Sequence, residues 1–185
     1  GHGLEYTRSE ESVRFPKKVH TLAKMSILRV VCAKDSSAAL TDTGKLYMWG
    51  KSAQGKLGLG RGQPGSVVVP MPLNHFNGKT VCVVSLGRNH TACLTDDHRF
   101  FTWGSNTFGQ LGIPAVSTNI PLPEEIGSLR QANVCDVACG GWHTVVCTHS
   151  GQVYTCGKGW HGQLGQGDYE SLTAQSKTLS YFKKI

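Results

Sequence analysis

The chain has 185 residues, 39% of them hydrophobic, with 19 Lys and Arg against 12 Asp and Glu for a net charge of +7. No apolar run of about 18 or more residues and no charged-then-apolar leader occurs, so neither a membrane span nor a signal peptide is expected within these residues. Residues 1–61 carry eleven basic side chains against five acids. No run exceeds two like charges (Lys17 with Lys18, Lys183 with Lys184), so a dedicated nucleic-acid groove is not expected.

In chain order, residues 4–26 read as a first connection, whose RFPKKVHTL resembles VVPMPLNHF (Val68 to Phe76) and NIPLPEEIGSL (Asn119 to Leu129). Each places a proline shortly before an aliphatic residue: Pro16 before Val19, Pro70 before Leu73, Pro123 before Ile126. Proline cannot donate to a ladder, so these segments are expected as short edge strands. The tail from Asp168 to Ile185 lacks the proline.

Between the connections one sentence is written three times, at Ile27–Gly60, Val81–Pro114 and Val134–Gly167. Laid over one another without gaps, the copies align Gly50, Gly104 and Gly157, and likewise Gly58, Gly112 and Gly165. Equivalent positions are separated by steps of 54 and 53 residues. Such a period marks a repeat architecture, whose units cannot bury their own apolar surface and must stack on one another.

Within a copy the strands are predicted near Val81–Ser85, His90–Thr95 and Arg99–Trp103. Asp42-Thr43-Gly44 and His149-Ser150-Gly151 are hairpin signals with glycine where positive φ is needed. His98 replaces that glycine in the middle copy, which suggests a different turn there. Adjacent columns are both apolar or aromatic (Leu46 with Tyr47, Phe100 with Phe101, Val153 with Tyr154), so both sheet faces are expected to be buried. Twenty-three glycines suit many short strands joined by tight turns, and helix should be scarce.

These residues resemble the RCC1 (regulator of chromosome condensation) repeat family, whose unit reads approximately G-x-x-H-[ST]-x-x-[LV]-T-x-x-G-x-[VL]-[YF]-x-[WC]-G-x-n-x-x-G-[QK]-L-G. In the third copy Gly140, His143, Thr144, Thr148, Gly151, Val153, Tyr154, Cys156, Gly157, Gly162, Gln163, Leu164 and Gly165 fit it. The first copy departs, with Ala33 for the opening glycine and Ser36 for the histidine. The resemblance implies an all-β, seven-bladed β-propeller with four-stranded blades, of which this chain supplies a partial arc of three repeat units. These would be residues 4–60 (core 27–60), 61–114 (core 81–114) and 115–167 (core 134–167), with 168–185 starting the next connection. Gly1-His2-Gly3 aligns with Gly58-Leu59-Gly60, so the chain reads as a piece of a longer protein. A free-standing arc would leave two blade faces bare, so it is expected to close against the remaining blades of its parent chain or against copies of itself.

Catalytic chemistry is not expected. His90 and His143 recur in register with Ser36 and each precedes a hydroxyl residue, which reads as a structural hydrogen bond inside the blade. Cys135, Cys139, His143, Cys147 and His149 look like a ligand set when written together, but they are spread over two strands and the columns explain the thiols otherwise, Cys139 replacing Leu86 and Cys147 replacing Leu94, so no metal site is predicted. Gly50-Lys51-Ser52 and Gly78-Lys79-Thr80 end like phosphate-binding loops, yet the glycine five residues earlier is replaced by Lys45 and Leu73, so no nucleotide cofactor is predicted. Seven cysteines without a C-x-x-C pair suggest reduced thiols in the cytoplasm or nucleus, and cilia also house proteins of this family.

What remains are the loops before the histidine column, Lys34-Asp35, Arg88-Asn89 and Gly141-Trp142, which vary on a constant frame. Variation on a rigid frame is where binding specificity sits, so Lys34, Asp35, Arg88, Asn89 and Trp142 are the candidate partner-binding residues. Gly50, Gly58, Gly104, Gly112, Gly157, Gly165, His90 and His143 are structural repeat positions. The leading expectation is a non-enzymatic protein-interaction scaffold. The resemblance also implies a second class, a guanine-nucleotide exchange factor for a Ran-like small GTPase, and a third, chromatin or nucleic-acid association through the basic opening segment. The plant ultraviolet receptor branch of the family has GWRHT where GGWHT and GRNHT stand here, so photoreception is not expected.

Overall fold

Twelve strands in three four-stranded antiparallel sheets make up the computed structural model, which describes residues 15–76, 78–114, 119–167 and 178–185. The first sheet holds β1 (Ile27–Ala33), β2 (Ser36–Thr41), β3 (Leu46–Lys51) and β4 (Ser66–Leu73). The second holds β5 (Val81–Leu86), β6 (His90–Thr95), β7 (Phe100–Ser105) and β8 (Asn119–Glu125), and the third β9 (Val134–Cys139), β10 (His143–Thr148), β11 (Val153–Lys158) and β12 (Thr178–Lys184). Strand order follows chain order in every sheet, so each connection returns to lie outside the third strand of the core before it. Among the described residues the helical content is three short 3-10 turns, at His20–Leu22, Ala53–Gly55 and Gly127–Leu129.

The edge-strand expectation holds for β4 and β8, which carry Pro70, Pro72, Pro121 and Pro123. It fails at Pro16, because residues 15–26 hold no strand and only the turn at His20–Leu22; residues 4–14 lie outside the described residues. β4 and β8 each ladder onto the third strand of the preceding core, and no core precedes Pro16 among the described residues. β12 makes the converse point, since it forms without a proline by pairing with β11. Pairing creates the outer strand, and proline only marks its free edge.

His98 does not change its turn. It takes φ 60°, beside 73° at Gly44 and 76° at Gly151, and its N–H bonds to the Thr95 carbonyl at 3.0 Å as those of Gly44 and Gly151 bond to Thr41 and Thr148. The middle copy thus places a side chain in the left-handed region, at a cost of about 1 kcal/mol. The glycine at the third-strand bulge is less negotiable. Gly104 has φ 104°, and a Cβ there would lie 2.6 Å from the Asn89 carbonyl oxygen and 2.8 Å from Cα of His90, so the register shift between Thr102 and Gly104 depends on glycine.

Two apolar seams hold the sheets together. Cys93, Phe101 and Trp103 of the middle sheet join Ala38, Leu40, Met48 and Leu57 in the first seam. Ala92, Leu94 and Phe100 of the same two strands join Val134, Val137 and Val146 in the second. Neighbouring residues therefore face opposite seams, which is why adjacent columns are apolar.

Candidate functional site

The carbonyl that follows the third strand is the hydrogen-bonding hub of each seam. Lys56 O accepts from Thr91 Oγ1 at 2.8 Å and from Trp103 Nε1 at 2.9 Å, both on the next sheet. One repeat later Gln110 O accepts from Thr144 Oγ1 at 2.7 Å and from Cys156 Sγ at 3.5 Å. His90 Nε2 lies 2.9 Å from the same Thr144 hydroxyl. The expected bond inside one blade is thus a bond between blades. The single hydroxyl proton of Thr144 is committed to Gln110 O, so His90 Nε2 must donate, leaving Nδ1 unprotonated and without a partner. Burial pushes the His90 pKa down to about 3, with the neighbouring His143 adding to the shift, so the ring is a neutral strut rather than a proton carrier.

The degenerate first copy follows from the same contact. A Cβ at Gly87 would strike the His90 ring, and one at Gly140 the His143 ring. Where Ser36 replaces the histidine the ring is gone, and Ala33 is tolerated.

The variable loops lie at the end of the sheets marked by these struts. At the first seam the fully buried Lys56 pairs with Asp35, and its ammonium also approaches the Arg88 carbonyl at 3.4 Å. Burial opposes the charge on Asp35, but the Lys56 hydrogen bond and charge outweigh it and hold the carboxyl below its ordinary range. Lys34 is exposed beside it.

At the second seam the equivalent of Lys56 is Gln110, whose Oε1 accepts from the Phe108 N–H at 2.8 Å and fixes that loop. There Phe108, Trp142 and Trp160 form a cluster, with Phe108 edge-on to the two indoles at centroid separations of 6.0 and 6.2 Å. The Lys158 ammonium lies 3.7 Å from the Trp160 ring centroid, 4.4 Å from Trp142 and 5.0 Å from Phe108, and the Arg88 guanidinium lies 5.0 Å from Trp142. These are cation–π distances.

Of the sequence-derived candidates, Arg88 and Trp142 are therefore brought together, and Lys34 and Arg88 line one shallow groove with Gly87, Gly140 and Gly141. Asp35 is engaged at the first seam, and Asn89 is half-buried with its carbonyl accepting from Ser105 N–H at 2.8 Å. Phe108, Lys158 and Trp160 were not singled out in sequence. The signal was there in the columns, where Phe108 stands opposite Gln54 and His161, and Trp160 opposite Ala53 and Thr107.

Nothing in this arrangement resembles an activated reagent. Burial pushes the Cys139 thiol up to about 12 and those of Cys93 and Cys156 well above their ordinary value, so these sulfurs stay protonated and unreactive. Among the described residues no three His, Cys, Asp or Glu side chains converge as a ligand set.

Four-stranded antiparallel sheets stacked face to face, with the innermost strands β1, β5 and β9 adjacent, define an arc of a β-propeller. The description "Regulator of chromosome condensation (RCC1) repeat" matches residues 43–94 and 97–147, and the chain belongs to the RCC1 repeat family. It is 32% identical over 170 residues to the Ultraviolet-B receptor UVR8 of Arabidopsis thaliana, covering 92% of this chain and 37% of that protein. It is 36% identical over 154 residues to the probable E3 ubiquitin-protein ligase HERC6 of Homo sapiens, covering 81% of this chain and 15% of that one. In structure it resembles Prp20p of Saccharomyces cerevisiae, with a TM-score of 0.76, 21% identity, and coverage of 86% of this chain and 38% of the other. The chain thus spans less than two fifths of each of these proteins.

Proposed function

We propose that this chain is a non-enzymatic protein-interaction scaffold, a segment of an RCC1-like propeller that presents the loop end of its second seam to a protein partner. The observation that carries this reading is the cluster of Arg88, Trp142, Phe108, Lys158 and Trp160 on a frame that otherwise repeats. Rigid elements position it, and aromatic rings with arginine are the residue types that dominate binding energy at interfaces. The relatives support the reading in that the matched stretch is 15% of HERC6, a segment of a much longer protein. The remaining blades of a parent chain, or another copy, would cover the open sheet faces. Seven free cysteines fit a compartment that keeps thiols reduced, the cytoplasm or nucleus, a cilium included.

Affinity capture tests the face. Arg88→Glu combined with Trp142→Ala is expected to abolish recovery of partners that the wild-type chain retains, and an unchanged set of partners would show that another face is used. The second reading is nucleotide exchange on a small GTPase, since the structural report on Prp20p concerns its binding to Gsp1p and histones. Accelerated release of a fluorescent guanine nucleotide from a small GTPase by the full chain would favour it; an unchanged rate would leave the scaffold reading.

A further inference from the structure

Arg88 and Lys158 both lie within 5.0 Å of one indole, that of Trp142, yet among the described residues neither has a carboxylate within ion-pair distance, whereas Lys56, Lys79, Arg99 and Arg130 each do. The two charges are held in place by rings instead. Their neighbours add charge of the same sign: the adjoining groove is lined by Lys34 as well as Arg88, and by Gly141, which is exposed and has nothing within 4 Å of where a Cβ would stand. Asp35, the acid next along this rim, is already paired with Lys56.

Resting on the interaction reading above, we propose that the Arg88–Trp142–Lys158 cluster and the groove beside it bind an acidic segment of a partner protein, with carboxylates bridging Arg88 and Lys158 and apolar side chains meeting Trp160 and Phe108. The occupant follows from charge and from geometry together. A cationic segment would face three uncompensated positive charges. A nucleic acid would need open aromatic faces on which bases stack, and here the protein's own cations lie over those faces, Lys158 at 3.7 Å from the Trp160 centroid. A carboxylate needs only the N–H groups of the two cations. Because the rings hold both side chains in position, less conformational freedom is lost on binding. The three aromatic positions hold no Phe, Tyr or Trp in either other copy, so the stacking of sheets does not require them.

The test is fluorescence anisotropy on the full chain at low ionic strength, where surface charges are least screened, with a labelled decapeptide of alternating Glu and Leu as the probe. Arg88→Ala with Lys158→Ala is expected to weaken binding about tenfold, while Lys183→Ala, an exposed cation elsewhere, leaves it within about twofold. Arg88→Glu with Lys158→Glu is expected to transfer preference to the Lys-Leu decapeptide, with near-ultraviolet circular dichroism confirming the fold. Absence of binding by the wild-type chain, or equal binding by the double alanine variant, would overturn the proposal. So would tighter binding of oligothymidylate through the same two residues. Loss of captured partners with Arg88→Glu and Trp142→Ala, without acidic-peptide binding, would keep the interaction face and discard the acidic partner.

Discussion

The middle and third sheets are built from copies that align without gaps, yet they are buried differently. All six residues of β6 and all six of β7 are buried, whereas β10 alternates between buried Thr144, Val146 and Thr148 and half-buried His143, Val145 and Cys147. The local ladders are equivalent, since β6 and β10 are each paired on both edges. What differs is the neighbour: among the described residues the middle sheet is packed on both faces and the third on one. Between these two copies, burial follows the number of packed neighbours rather than the local ladder.

The glycines that precede the outer loop show the same thing. A Cβ on Gly109 would meet the β12 backbone, 2.5 Å from Cα of Ser180, while one on Gly162 would meet nothing within 4 Å. All three copies share the left-handed backbone here, φ 75° at Gly55 and Gly109 and 77° at Gly162, so the turn alone favours glycine and the close approach is added only where a neighbouring sheet packs.

The largest effect that can break this comparison is at the column shared by Trp103 and Cys156, both fully buried. Trp103→Ala removes an indole that packs across the first seam and donates to Lys56 O, and should cost about 3–5 kcal/mol. Cys156→Ala should cost about 1 kcal/mol. Chemical denaturation of the two variants checks the difference, and equal losses would mean that the seams are not where the stability lies.

Next in size is a pH effect to which the buried His90 contributes most among the histidines. The folded pKa of His90, about 3, lies below the unfolded value of about 6.5. Between these values the unfolded chain binds more protons, so stability is retained above pH 6.5 and falls as pH drops toward 3, by about 1.4 kcal/mol per pH unit at the steepest. His90→Gln is expected to flatten that slope. The half-buried His143 is lowered too, so His143→Gln should flatten it less; an equal change would contradict the unequal burial.

The smallest effect sharpens the turn comparison. His98→Gly should stabilise by roughly 0.5–1 kcal/mol by relieving the left-handed backbone, less what the edge-on contact with His149 at 5.3 Å contributes. Gly151→Ala should destabilise by a similar amount. A thermal melt of each variant reads both signs.

The sheets were legible in sequence because the glycine columns and paired apolar columns are set by local geometry that every copy must repeat. The blade-to-blade role of His90 was not, because its partner Thr144 lies one repeat away and comes into range only when sheets stack. Likewise Phe108 belongs to the second copy, and Lys158 and Trp160 to the end of β11 and the loop after it in the third, and column comparison flags the two aromatics as departures without saying that they meet. Pro16 misled because a proline marks where a strand can end a sheet, not whether a partner strand is present.

Native-state hydrogen exchange along β6 and β10 tests the central claim most directly. In the dilute chain the β6 amides are expected to exchange only through global unfolding, and those of β10 faster by about tenfold or more through local opening. Equal protection of the two strands would contradict the view that a second packed neighbour is what completes a blade.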